Sequence, residues 1–217
     1  MPGRTNGPIV PVAAGRLRGV TSSLAPLDVI LLRHAEPIPY GSPDIPDDDR
    51  PLTEAGRAAA FELAAELDDW EISAIYSSPL ARAFETVTIL AERRGMPVHV
   101  LADLRERQLS LEAHDSWRES LARSWSYASY ALPGAESGRD AQRRGVGTLD
   151  LLRSRYPDGG RLVLGSHGNL ISLILQALEP GIGYDFHMAM PTPALYRITH
   201  DGLRWRIMGG HGFAPVD

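Results

Sequence analysis

Along the chain, short apolar runs alternate with longer stretches of helical character. Residues 27–33, Leu-Asp-Val-Ile-Leu-Leu-Arg, form an apolar run that predicts a buried strand. A loop rich in Pro and Asp follows over 37–51. Thr53 offers an N-cap hydroxyl to an Ala-rich helix running to about Asp68. A second strand is expected over 72–76. Ser78 as N-cap and Pro79 at the first helical position then open a helix ending near Gly95. A third strand is expected over 98–101.

Residues 105–137 are less regular and hold Trp117, Trp125, Tyr127 and Tyr130 close together. A helix is expected over 139–155 despite Gly145 and Gly147, a fourth strand over 162–165, and an apolar helix from Gly168 to Leu178. Residues 194–199 and 203–208 read as a terminal hairpin turning at Asp201-Gly202. Strands alternating with helices predict a mostly parallel sheet covered on both faces, its last strand antiparallel.

The first 27 residues carry Arg4, Arg16 and Arg18 and no acid before Asp28, but Pro2, Pro8, Pro11 and Pro26 break any amphipathic helix there. Residues 1–26 therefore read as an extended arm that packs on its own domain or on a neighbouring copy, which keeps a homodimer open. Residues 27–217 read as one domain. With 43% hydrophobic and 23% charged residues among 217, the composition is that of an ordinary globular chain.

A net charge of -5 leaves no electrostatic footprint for nucleic acid. No apolar run reaches membrane-span length; the longest, around 170–178, is interrupted by Ser172 and Gln176. The sequence has no Cys, which excludes disulfides, thiolate metal sites and a cysteine nucleophile and fits a reducing, cytoplasmic setting. All 22 basic residues are Arg. Codon bias accounts for that, yet it also removes Lys as Schiff-base former, general base or phosphate-loop ligand. Any anion must be held by Arg, His or backbone amides.

In open parallel sheets, ligands bind beyond the carboxyl ends of the strands. The first strand ends in Arg33-His34. The second ends just before Ser77-Ser78-Pro79, with Arg82 in the next helical turn. The third is followed by Leu104-Arg105-Glu106, and the fourth ends in Ser166-His167-Gly168. Taken singly, each has a plain structural explanation: a satisfied core histidine, a solvated glutamate. Arg82 is different, because a cation in the first turn opposes the helix dipole unless an anion is bound there. Together, two Arg, two His and one Glu on one sheet edge make an anion site with a titratable centre.

Five blocks carry a resemblance: Leu32-Arg33-His34-Ala35-Glu36, Leu52-Thr53-Glu54-Ala55-Gly56-Arg57, Ser77-Ser78-Pro79-Leu80-Ala81-Arg82-Ala83-Phe84-Glu85-Thr86, Leu104-Arg105-Glu106 and Ser166-His167-Gly168. In this order they resemble the histidine phosphatase superfamily, the phosphoglycerate mutase-like group, over about 28–208. The resemblance implies a three-layer α/β/α sandwich around a mostly parallel central sheet. It implies that His34 is a nucleophile forming a phosphohistidine, that Arg33, Arg82 and His167 clamp the phosphoryl oxygens, and that Glu106 is the general acid and then the base. It also implies that residues 105–137 cap the site, that the substrate is a small phosphate ester, and that no metal or cofactor is needed.

Where the family often reads Arg-His-Gly-Glu-Thr-x-x-Asn, with the Asn on phosphate, this sequence has Ala35, Pro37 and Tyr40. Either Tyr40 donates a hydrogen bond in place of the Asn or the loop runs differently. The altered loop favours a phosphomonoesterase over a phosphoglycerate-type mutase, which must keep water from the phosphoenzyme. A non-catalytic phospho-ligand binder is the reading from another class; the presence of both His34 and Glu106 weighs against it. The Gly165-Ser-His-Gly168 stretch lacks the Gly-x-Ser-x-Gly spacing of a serine-hydrolase elbow. Trp117 and Trp125 either bury an aromatic helix face or stack on substrate. Asp44, Asp47, Asp48 and Asp49 either face the site and repel anionic substrates or are solvated.

Overall fold

The computed structural model describes residues 25–109 and 117–213, with the side chain of Trp117 outside the description. The arm expected over 1–26 therefore lies, apart from Ala25 and Pro26, outside the described residues.

Six strands form one sheet: β1 (Leu27–Arg33), β2 (Ala74–Ser77), β3 (Val98–Val100), β4 (Gly160–Ser166), β5 (Ala194–His200) and β6 (Trp205–Gly210), in the order β3-β2-β4-β1-β5-β6. The first four are parallel to their neighbours, whereas β5 runs antiparallel to β1 and β6 antiparallel to β5. The register aligns Arg33 with Ser166 and Ser77 with Gly165, so the carboxyl ends of β1, β2 and β4 share one edge.

Helices α1 (Glu54–Glu66), α2 (Ala81–Arg94), α3 (Trp117–Ser126), α4 (Gly138–Arg155), α5 (Gly168–Leu178) and α6 (Tyr184–Ala189) complete the fold. A strand buried on both sides divides its apolar residues by alternation. Ile30 and Leu32 of β1 pack with Leu63 of α1 and with Val87 and Leu90 of α2. Val29 and Leu31 turn to the opposite face, against Leu149 and Leu152 of α4 and Ile171 and Ile174 of α5. The result is the three-layer α/β/α arrangement. Gly145 inside α4 has a packing reason, since a Cβ there would stand 2.6 Å from Ile174 Cγ1 of α5. The helix tolerates the conformational cost of glycine in return for a close crossing.

Expectations need correction at several places: β4 spans Gly160–Ser166 rather than 162–165, and β6 spans Trp205–Gly210 rather than 203–208. The second strand begins at Ala74 rather than residue 72. Helix α2 begins at Ala81, with Leu80 at its N-cap and no side-chain cap, rather than at Ser78-Pro79; the Ser78 hydroxyl is used in the site instead. Helix α6 lies where no helix is expected, because six residues give too little periodicity to register. No helix among the described residues is long and apolar enough to cross a membrane.

Candidate active site

β1 ends at Arg33, and the backbone N–H of His34 donates to Ser166 O of β4 at 3.1 Å, which fixes the loop after β1 to the neighbouring strand end. The N–H of Ala35 donates to Thr86 Oγ1 of α2 at 3.0 Å, and Thr86 in turn donates to Arg82 O at 2.6 Å. The loop carrying His34 and the helix carrying Arg82 are thereby one hydrogen-bonded unit.

His34 is only 8% exposed, and its Nδ1 is 2.8 Å from the carbonyl oxygen of Ala35. A carbonyl can only accept, so Nδ1 carries the proton and the ring's lone pair is at Nε2. His167, fully buried, stands at the N-cap of α5, and its ring centroid is 5.2 Å from that of His34 with the planes at 62°. His167 Nε2 lies 2.8 Å from Ser78 Oγ, which also accepts the N–H of Leu80 at 3.2 Å. His167 Nδ1 and Arg33 Nε are buried without a protein partner. Gly168 lies on the Arg33 guanidinium: a Cβ would stand 3.0 Å from Cζ, so a larger residue would press the guanidinium aside by a few tenths of an ångström.

Burial, reinforced by the positive charges of Arg82, Arg33 and Arg50, pushes His34 from 6.5 down to about 3. Burial first, then His34 and the same arginines, holds His167 well below its ordinary value. Both rings are neutral at physiological pH. Below 6.5 the unfolded chain binds a proton that folded His34 refuses until about pH 3, so stability falls as the pH drops through that window. Denaturant titrations from about pH 6.5 to about pH 4 should show this loss, with His34 contributing up to about 1.4 kcal/mol per pH unit. His34→Gln should flatten the slope by that share; an unchanged slope would show that His34 titrates in the fold as it does in the open chain.

Arg82 is 4% exposed and lies in the first turn of α2. Its Nη1 donates to the carbonyl oxygen of Asp47 at 2.8 Å and its Nη2 reaches Asp47 Oδ2 at 3.4 Å. Asp47 thus supplies the negative partner that a cation at a helix N-terminus requires. Arg50 Nε binds the same carboxylate at 2.7 Å, and Asp48 binds Arg105 at 2.7 Å. Of the loop acids, Asp47 and Asp48 tie the 37–51 loop to arginines at the site, whereas Asp44 and Asp49 are exposed. Arg33 Nη1 donates to the carbonyls of Met190 at 2.6 Å and Pro191 at 3.3 Å, which orients its fork.

Glu106 Oε1 accepts the N–H groups of Arg107 at 2.8 Å and Leu170 at 3.0 Å, and Oε2 accepts that of Asn169 at 3.1 Å. The His167 side chain makes no capping bond and the first turn of α5 has no acid. Glu106 fills that place from a distant part of the chain, satisfying two of the helix's unpaired donors. Its charge opposes the burial effect at Arg33 and Arg82, so the three groups share one electrostatic field.

His34, Arg33, Arg82, His167 and Glu106 thus belong to one connected site. Tyr40 is 64% exposed and joins it indirectly: the Arg50 guanidinium is 5.7 Å from its ring centre, and Arg50 holds Asp47. Trp125 is half-buried and stacks on His187, with ring centroids 5.4 Å apart and planes at 27°. Trp117 heads α3, its side chain being outside the described residues. Sequence reasoning misses the contact of Ser78 with His167 and the stacking of His187 on Trp125, and it leaves Asp47 open between facing the site and being solvated. Ser78 shows only its capping signature, Asp47 is one of several loop acids, and His187 has no flanking motif. Among the described residues, no three His, Asp or Glu side chains are grouped to hold a metal ion.

The sequence model of the histidine phosphatase superfamily (branch 1) matches residues 29–209. A phosphoglycerate mutase-like protein 4 of Arabidopsis thaliana is 28% identical over 192 residues, covering 83% of each chain. A probable phosphoglycerate mutase GpmB of Shigella dysenteriae is 28% identical over 163 residues, covering 70% of this chain and 74% of its own. Among solved structures, a mycobacterial glucosyl-3-phosphoglycerate phosphatase is similar with a TM-score of 0.69 and 26% identity, covering 84% of this chain and 97% of its own. Bacillus stearothermophilus YhfR is similar with a TM-score of 0.68 and 26% identity, covering 83% of this chain and 95% of its own. With the family's motif blocks at its strand ends and its sequence matched from residue 29 to residue 209, the chain belongs to branch 1 of the histidine phosphatase superfamily.

Proposed function

We propose that the chain is a phosphomonoesterase that hydrolyses a small phosphorylated metabolite through a phosphohistidine at His34. The observation that carries this reading is the His34 tautomer. Its Nδ1–H is held by the Ala35 carbonyl at 2.8 Å, its burial keeps it neutral, and its Nε2 lone pair is available beside two guanidinia. Neutral imidazole attacks phosphorus and leaves it readily, which divides hydrolysis into two easier steps.

In the first step Nε2 bonds to phosphorus as the bond to the ester oxygen breaks, and protonated Glu106 gives its proton to that oxygen. Oε2, which accepts one backbone bond where Oε1 accepts two, has the lone pair that carries the proton. In the second step the Glu106 carboxylate takes a proton from water, the water oxygen bonds to phosphorus, and the P–N bond breaks to restore Nε2. Arg33, Arg82 and His167 face charge on three phosphoryl oxygens throughout, so catalysis is largely positioning and electrostatic stabilisation. The planar fork of Arg suits that task better than a point charge.

We assign residues 27–217 to one catalytic domain and 105–137 to its cap. Supporting the cap, buried Arg107 donates to Ser124 Oγ at 2.9 Å, Glu136 O at 3.0 Å and Tyr130 O at 3.4 Å, gathering that segment beside Glu106. Trp117, Trp125 and Tyr40 are proposed as substrate contacts.

A phosphoglycerate-type mutase, the activity named in two of the relatives, would return the phosphoryl group to the substrate. Incubation with 3-phosphoglycerate and with alkyl phosphates should release inorganic phosphate without forming 2-phosphoglycerate. Isomerisation outpacing phosphate release would make the chain a mutase, and neither activity from a folded protein would make it a binding protein.

A further inference from the structure

The two arginines of the proposed phosphoryl clamp are engaged differently. Arg33 rests its fork on two neutral carbonyls, those of Met190 and Pro191. Arg82, only 4% exposed, carries an anion: Asp47 reaches Nη2 through Oδ2 at 3.4 Å and Nη1 through its carbonyl oxygen at 2.8 Å. One residue thus offers acceptors to both Nη atoms of the fork, as two phosphoryl oxygens would. Arg50 Nε holds the other carboxylate oxygen at 2.7 Å. The charges of Arg82 and Arg50 both reach His34. A carboxylate therefore already stands between two guanidinia in the field of the proposed nucleophile.

Asp47 can leave that place at little cost. It opens a single 3-10 turn, Asp47–Asp49, none of whose residues is buried and whose N-cap residue, Pro46, supplies no side-chain bond. Its side chain is 39% exposed, and its carboxylate bond to Arg82 is the long one. The shorter bond to Arg50, three residues on, can travel with the turn. A phosphoryl group with charge on three oxygens is the stronger ligand for a guanidinium fork. It cannot share that fork with a carboxylate without like-charge repulsion.

We infer that Asp47 is an internal competitor for the phosphoryl site. Its carboxylate occupies the Arg82 fork in the free protein, yields it to the phosphate ester, and returns to it as inorganic phosphate leaves. The inference rests on the assignment of Arg82 to the clamp. A carboxylate that merely orients Arg82 makes the opposite prediction, since its loss would weaken phosphate binding.

Calorimetric titration of the full-length protein with inorganic phosphate, at an ionic strength of about 0.15 M, separates the two roles. Asp47→Asn should tighten phosphate binding about five- to tenfold and lower the product-inhibition constant in proportion. Asp48→Asn removes the same charge from the next residue, whose partner is Arg105 at 2.7 Å, and should tighten binding about twofold at most. Weaker or unchanged binding in Asp47→Asn, or equal gains in the two variants, would overturn the inference. Amide exchange decides the matter if Asp47→Asn fails to fold. In the wild type, saturating phosphate should speed exchange over residues 47–50, where a ligand ordinarily slows it; slowed or unchanged exchange would overturn the inference as well. Arg82→Ala tests the clamp itself and should weaken phosphate binding by about tenfold or more. Such a loss with no gain in Asp47→Asn would leave the clamp standing and the competitor refuted, whereas unchanged binding in Arg82→Ala would remove Arg82 from the clamp.

Discussion

Rapid mixing with a ³²P-labelled phosphate ester and then an alkaline quench should leave label on the wild-type protein and none on His34→Ala. The label should be lost in acid and survive in alkali, as a phosphoramidate does. The reason lies in the geometry of one ring. The Ala35 carbonyl accepts a hydrogen bond from Nδ1–H at 2.8 Å, so the free lone pair is on the other nitrogen, and burial keeps the imidazole from being protonated until about pH 3. His167 is a poor substitute even though it is equally neutral, because its Nε2 is engaged with Ser78 Oγ at 2.8 Å. Turnover should fall by several orders of magnitude, as it does when a covalent nucleophile is removed while the electrostatic cradle remains. His34→Ala protein that still acquires acid-labile label would place the nucleophile elsewhere, with His167 the first alternative.

The residues proposed to carry this chemistry are legible where they lie at the end of an apolar run. The run from Leu27 to Arg33 is buried on both faces, so its limits stand out in the sequence, and His34, directly after it, lies at the ligand-binding edge. The same holds for Ser166-His167-Gly168 at the end of β4. Legibility fails where a side chain's partner is distant in sequence. Ser78 reads locally as a helix cap, but its hydroxyl meets His167, 89 residues away. That contact is created by the pairing of β2 with β4 and has no local signature. Asp47 meets Arg82 across 35 residues of chain, and periodicity does not distinguish it from Asp44 or Asp49. The capping of α5 by Glu106 is of the same kind. A helix start without a capping side chain predicts that something supplies one, but not which residue.

Under the proposed mechanism Glu106 has two tasks, capping α5 and carrying a proton, and a substitution there disturbs both. Its carboxyl accepts three backbone N–H bonds, two of them from the first turn of α5, the helix that begins directly after His167. Glu106→Gln keeps the size and one acceptor oxygen, but its amide group turns a donor towards a backbone N–H. That mismatch should cost stability on the order of 1 kcal/mol and can disturb His167, so a loss of activity alone would not identify a proton donor. The leaving group separates the two effects. An alkyl alcohol departs poorly as an alkoxide, so its phosphate ester needs the proton in the transition state, whereas nitrophenolate departs unaided. Any displacement of His167 would slow both esters alike; loss of the proton should slow only the alkyl ester. In single-turnover experiments that read phosphorylation of His34, Glu106→Gln should reduce the rate with an alkyl phosphate about 10²- to 10⁴-fold and the rate with nitrophenyl phosphate far less. Steady-state rates would blur this contrast, because the same carboxylate also activates water in the second step. Equal losses for both esters would leave Glu106 as the cap of α5 alone and make Glu36 or Asp47 the next acid to test.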